Sequence, residues 1–202
     1  MNNLRPALVL VALFTILTGL AIPLGFAGVA GVVFPTQAGG SLIERGGVVI
    51  GSSLLGQSFT QDKYFQGRPS VTTTQDPAHP DDSTKTVPAA YNAGNSSASN
   101  AGPTSKTLID RVTADVAKAG AKPVPGDMLT TSASGLDPHI SPETAGRQVA
   151  RVAAARNLPE AKVQSMVDAN TAGRFAGLIG EPRVNVLELN LALDALSSSA
   201  SS

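Results

Sequence analysis

The hydrophobic pattern divides the chain into two unequal parts. From Pro6 to Phe34 nearly every side chain is apolar or small, and no charge occurs between Arg5 and Glu44. A helix that crosses a membrane needs roughly 20 apolar residues, each adding about 1.5 Å toward a hydrocarbon core of about 30 Å. The run exceeds that length. It predicts a transmembrane helix over 7–29, from Ala7 through Gly19 and Pro23 to Val29. Glycine and proline weaken soluble helices but are frequent in membrane ones. The competing reading is a cleaved signal sequence, with Arg5 as a short basic lead and Gly28-Val29-Ala30 as small residues for cleavage. Against it, the apolar core from Ala7 to Leu24 is longer than the roughly 7–15 residues such segments use. Both readings keep residues 1–6 in the cytoplasm, on the single arginine, and export the polar body.

Beyond the span the pattern becomes mixed. Leu42-Ile43 and Val48-Val49-Ile50 flank Gly46-Gly47, which predicts a β-hairpin next to the bilayer. Leu54 to Gln57 continues as strand or turn. Tyr64 to Ser70 (YFQGRPS) reads as an ordered loop, because Pro69 forces Arg68 into an extended conformation while Gly67 frees the backbone before it. Arg68 then points in a fixed direction, either to hydrogen-bond loop carbonyls or to meet a docking partner or anion. Residues 71–103 keep no apolar period and predict a long polar loop. Thr104–Ala119 predicts a helix that turns Leu108, Ile109, Val112 and Val116 to the core. Met128 to Ile140 reads as a strand followed by a turn at Gly135. Ser141 then caps a helix reaching Asn157, with Pro142 at its first position and Arg147 and Arg151 on one side, either solvated or paired with acids of a partner. A third helix runs from Glu160 to about Ala169, with Val163, Met166 and Val167 inward. Val184 is strand-like, Asn185 caps a last helix rich in leucine, and 197–202 is a disordered tail. The fold class predicted is α+β: one N-terminal transmembrane helix, then one exported domain over 30–196 with a hairpin, a few short strands and about four helices.

Composition narrows the chemistry. Basic and acidic side chains balance at 15 each, which argues against a nucleic-acid partner. There is no cysteine, so disulfides and thiolate zinc sites are excluded, and the two histidines leave little for a histidine metal cluster. Asp76, His79, Asp81 and Asp82 can be drawn as a metal site, but on a flexible loop they read as solvated surface. Ser132, Ser134, Asp137 and His139 invite a hydrolase reading. No G-x-S-x-G elbow accompanies them, and turn and capping chemistry explains the same residues. Catalytic residues and metal ligands are therefore expected to be absent. A secreted or anchored enzyme, or a solute-binding domain, is the alternative from another class.

Eight segments in order carry a resemblance: RPAL, SLI, GQ-x-F, YFQGRPS, YN, SN-x-GP, SASGLDPHISP and RVNVLELNLALD. The chain resembles the C subunit of the Kdp-type potassium-transporting ATPase from Arg5 to Asp194. It departs at Ile22, where the family usually has tyrosine, at Ser97-Ala98, where Gly-Gly is common, and over Thr73 to Val87, which looks lengthened. The resemblance implies an accessory, single-pass subunit of an inner-membrane complex, with its N-terminus cytoplasmic. Its partners would be the lipid bilayer, a channel-like subunit carrying potassium and a P-type subunit hydrolysing ATP. No D-K-T-G-T or T-V-G-Y-G-like segment occurs here. The resemblance also implies ATP indirectly, through a chaperone role that raises the hydrolytic subunit's nucleotide affinity. The residues support that weakly, since Ser105-Lys106-Thr107 lacks the glycine before lysine of a phosphate loop. The expected partner contacts are Arg68, Pro69, Tyr91, Asn92, Asn100, Asp137, His139, Asn185 and Asn190.

Overall fold

The computed structural model describes residues 3–120 and 123–199. The chain separates into two compact units, divided between Ser52 and Ser53. The first begins with an unbroken helical run, Leu4–Val33, made of α1 (Leu4–Ile16), a π-helical stretch at Leu17–Ala21 and α2 (Ile22–Val33). Its composition and length suffice to cross a membrane, and none of its most apolar window is buried. The π turn falls just before Pro23, which has no N–H to donate and crowds the carbonyl four residues back. The Thr18 hydroxyl donates to the Phe14 carbonyl at 2.6 Å and satisfies one acceptor in this region. After the single turn α3 (Pro35–Ala38), strands β1 (Leu42–Arg45) and β2 (Val48–Ser52) form the expected hairpin. Gly46 and Gly47 make its turn at φ 61° and 77°, angles that cost glycine nothing.

The second unit begins at Ser53. Its polar loop is not bare: β3 (Thr73–Gln75) and β4 (Thr86–Pro88) pair in antiparallel fashion within 71–103. Two asparagines extend the tie, as Asn92 Nδ2 and Asn95 Nδ2 both donate to the Thr73 carbonyl, at 2.7 and 2.9 Å. Helix α4 (Lys106–Ala119) forms as expected, but no residue of it is buried and Ile109 is half exposed. Its apolar stripe therefore does not join the core, contrary to its pattern. Amphipathic spacing reports which residues share a face, not what that face meets. The strand expected from Met128 is instead a helical turn, α5 (Gly126–Leu129), while Gly135 does turn the chain at φ 68°.

The core lies where α6 (Pro142–Arg156), α7 (Glu160–Ala169) and α8 (Val186–Ser199) pack together with a small sheet. That sheet orders β5 (His139–Ile140), β7 (Arg183–Asn185) and β6 (Thr171–Ala172), all antiparallel, with Ile140 and Thr171 both opposite Val184. Ser141 caps α6 as predicted, accepting the Thr144 N–H at 3.0 Å, and Asn157 closes it in the left-handed conformation. Val149, Val152, Ala153, Val163 and Val167 face Leu189 and Leu193 inside. Helix α8 continues through Ser199, so the tail expected from 197 begins as helix; the expectation for 200–202 lies outside the described residues.

Phe65 sits at the centre of this core with no exposed surface. It belongs to an irregular segment, whose backbone groups need partners once buried. Two side-chain amides supply them. Asn190 accepts the Phe65 N–H at 2.8 Å and donates to the Phe65 carbonyl at 2.9 Å. Gln148 accepts the Gln66 N–H at 2.8 Å and donates to the Gln66 carbonyl at 3.0 Å. Arginines extend the pattern: Arg151 donates to the carbonyls of Asp62 and Tyr64, and Arg156 to that of Lys63. Arg156 also pairs with Asp194 at 2.8 Å. Helical spacing alone leaves Arg147 and Arg151 solvated or facing a partner. Arg151 instead holds loop backbone, and Arg147 donates to the Pro123 carbonyl.

Candidate partner-contact surface

The segment held by α6 and α8 emerges at Arg68, which is three-quarters buried and fixed from several sides. Its guanidinium pairs with Asp137 Oδ2 at 3.1 Å and reaches the Thr130 and Thr131 carbonyls at 3.3–3.4 Å. Asp137 Oδ1 in turn accepts the His139 N–H at 3.0 Å, and His139 Nδ1 lies 3.4 Å from the same oxygen. Burial alone would push the Asp137 carboxyl up. The hydrogen bonds from His139 and Arg68 outweigh it and hold the group below its ordinary value.

Tyr91 locks the assembly from behind. Its hydroxyl donates to the Arg68 carbonyl at 2.7 Å, and its ring crosses Gly56 and Gly67. A Cβ at Gly67 would collide with the Tyr91 oxygen, and one at Gly56 with the edge of the ring. Both positions exclude any side chain while Tyr91 is in place. Burial, together with the negative charge of Asp137, pushes the Tyr91 hydroxyl up to about 12. Ser70 completes the lock, accepting the Tyr91 N–H at 3.1 Å and donating to the Gly135 carbonyl at 2.8 Å.

Arg68, Asp137 and His139 thus meet, although Arg68 is 69 residues from Asp137. They line an open cleft of about 430 Å³ together with Glu181, Pro182 and Arg183. Pro69 and Tyr91 adjoin them, the tyrosine as a support rather than an exposed group. The remaining candidates lie elsewhere. Asn100 is exposed with left-handed backbone, φ 49°, and Asn92 ties the polar loop through Thr73. Asn185 is buried; it caps α8 by accepting the Glu188 N–H and donates to the Ser53 carbonyl. Asn190 is 1% exposed and holds Phe65, so neither asparagine offers its amide at the surface.

Several residues of the arrangement carry no local signal. Gln148 looks like a surface helix residue, and Gly56 and Gly67 look like ordinary loop glycines. Asp127 accepts from the Ser141 N–H and hydroxyl and from the Thr144 hydroxyl, fixing the start of α6 beneath the cleft. The serines near His139 are occupied by the turn, with Ser132 accepting the Gly135 N–H and Ser134 the Leu136 N–H. In the polar loop, Asp76 meets His79 at 2.8 Å and Asp82 accepts the Thr84 N–H. No cluster of three or more metal-binding side chains occurs among the described residues.

The family model described as the K+-transporting ATPase c chain, KdpC, matches residues 4–195. The Potassium-transporting ATPase KdpC subunit of Rhodopseudomonas palustris is 60% identical over 199 residues, covering 96% of this chain and 98% of that one. Those of Methylobacterium nodulans and Bradyrhizobium diazoefficiens are 58% and 60% identical, over 201 and 198 residues. The Methylobacterium match covers 98% of both chains, and the Bradyrhizobium match 96% of this chain and 97% of the relative. The chain belongs to the KdpC family, and so to the subunits of potassium-transporting ATPase complexes.

Proposed function

We propose that this chain is a non-pore, non-hydrolytic subunit that assembles a potassium uptake complex from outside the cytoplasm. Its Leu4–Val33 helix lies in the inner membrane beside the channel-like subunit, with the N-terminus cytoplasmic. The body from Ser53 onward docks at that subunit's outer mouth through Arg68, Asp137 and His139. One observation carries this reading: Arg68 is fixed by Asp137, two threonine carbonyls and the Tyr91 lock, yet it still lines an open cleft. A side chain ordered before binding loses little entropy on docking, which favours it as a contact. The raised ATP affinity that family resemblance implies is a second reading.

The test is to express Arg68→Ala and Asp137→Ala chains with the other subunits. Recovery of the complex and potassium-stimulated ATPase activity are then measured. Both are expected to fall, with Arg68→Lys intermediate because lysine keeps the charge and loses the fork. Unchanged assembly and activity in both alanine variants would sink the docking role. Intact assembly with a raised half-saturating ATP concentration would favour the nucleotide reading.

A further inference from the structure

The hairpin joining β6 to β7 ends in a naked apolar tip. Phe175, Leu178 and Ile179 are 75%, 82% and 67% exposed, although each is large and apolar. Four amides of the tip are satisfied internally. Phe175 and Ile179 exchange hydrogen bonds at 2.8 and 3.0 Å, Leu178 donates to the Phe175 carbonyl, and Gly177 to that of Arg174. Ala176, Gly177 and Gly180 all hold positive φ, so the turn has a defined shape. Burying this tip would therefore strand few backbone donors, and its apolar side chains are the main group still facing water. At the neck Arg174 pairs with Glu181 at 2.7 Å.

We infer that this tip is a hydrophobic plug that seats in an apolar socket on the channel-like subunit; the inference rests on the docking role proposed above. The charges select a protein over a bilayer. A lipid-surface element uses free basic residues and interfacial tryptophan or tyrosine. Here the tip's own arginine is paired with Glu181, Arg183 lies back in the cleft, and neither aromatic occurs in residues 173–181. Large apolar anchors that bury in a partner's pocket are instead the pattern of protein contact centres. The tip is also continuous with the proposed contact, because Glu181, Pro182 and Arg183 line the same cleft as Arg68 and Asp137.

The chain has no cysteine, so Leu178→Cys gives it a single site for a benzophenone maleimide, attached before the chain is assembled with the other subunits. A second labelled chain, Ala133→Cys, probes the exposed side of the Arg68 patch. Light is expected to join both positions to the channel-like subunit. Separately, Phe175→Ser with Leu178→Ser should lower recovery of that subunit about tenfold, as loss of a contact anchor does, while Phe175→Leu retains it. Adducts only to lipid, only to a second copy of this chain, or none at Leu178 with adducts at Ala133, overturn the plug and leave the docking role standing. No adduct at either position in an intact complex removes both. Undiminished recovery with the double serine variant also overturns the plug.

Discussion

Two irregular stretches of the second unit carry similar residues and reach opposite ends. Residues 62–70 and 173–181 each hold one phenylalanine, one arginine and a glycine or more. Phe65 has no exposure and Phe175 has 75%. The difference lies in where the backbone hydrogen bonds go. The first stretch makes few of its own, so it survives burial only because Gln148, Asn190, Arg151 and Arg156 reach in from two helices. The second pairs four of its own amides across a tight turn. A stretch with few hydrogen bonds of its own can thus be the buried one of two, and a self-paired tip the exposed one.

The largest effect that tests this contrast is expected at Asn190. Leucine there would keep the branching and heavy-atom count but strand the Phe65 N–H and carbonyl, at about 1–3 kcal/mol for each buried unsatisfied group. Thermal unfolding of the full chain in detergent, followed by circular dichroism, should show a midpoint lower by roughly 5–15 °C. A midpoint within about 2 °C of the parent would mean that the amide is not what holds the stretch.

Next in size is Gly67→Ala, which drives a methyl group into the Tyr91 hydroxyl and should cost about 1–3 kcal/mol. Adding Tyr91→Phe removes the colliding oxygen and should recover part of that loss. Purely additive losses in the two variants would break the lock.

A smaller, pH-dependent effect is expected at Asp137. Its folded carboxyl ionises more readily than the unfolded one, so the stabilisation is present above the ordinary carboxylate pKa of about 4 and is lost as pH falls through the depressed folded value. Asp137→Asn should therefore be less stable than the parent at neutral pH, with the gap closing in acid. A gap independent of pH would show that shape, not charge, makes the contact.

The smallest change in stability belongs to Phe175→Ser. An exposed side chain with no core contact should alter the folding free energy by no more than about 0.5 kcal/mol. A loss as large as that of Asn190→Leu would erase the contrast between the stretches.

Local features were legible where local physics decides them. The Gly46-Gly47 turn, the Ser141 cap with Pro142 behind it and the inward valines of α7 depend on residues a few positions apart. The Asp137–His139 turn was legible as polar and ordered, and Arg68 as pointing in a fixed direction. That the two meet was not, because they lie far apart in sequence. Helix α4 shows the converse: its stripe was readable and its burial was not. The exposure of Phe175, Leu178 and Ile179 was not legible, because three apolar side chains in a short stretch do not say what they meet.

By itself the sequence determined the long apolar helix, the α+β class and, through its specific blocks, family membership. Each depends on composition, on short-range period or on residue order, all present in one dimension. The tertiary structure alone decided which polar side chains turn inward. Gln148, Asn190 and Arg151 became internal scaffolding because an irregular segment more than 80 residues away brought unpaired backbone groups beside them. A buried donor or acceptor must be paired, and its nearest partner is set by packing rather than by position along the chain.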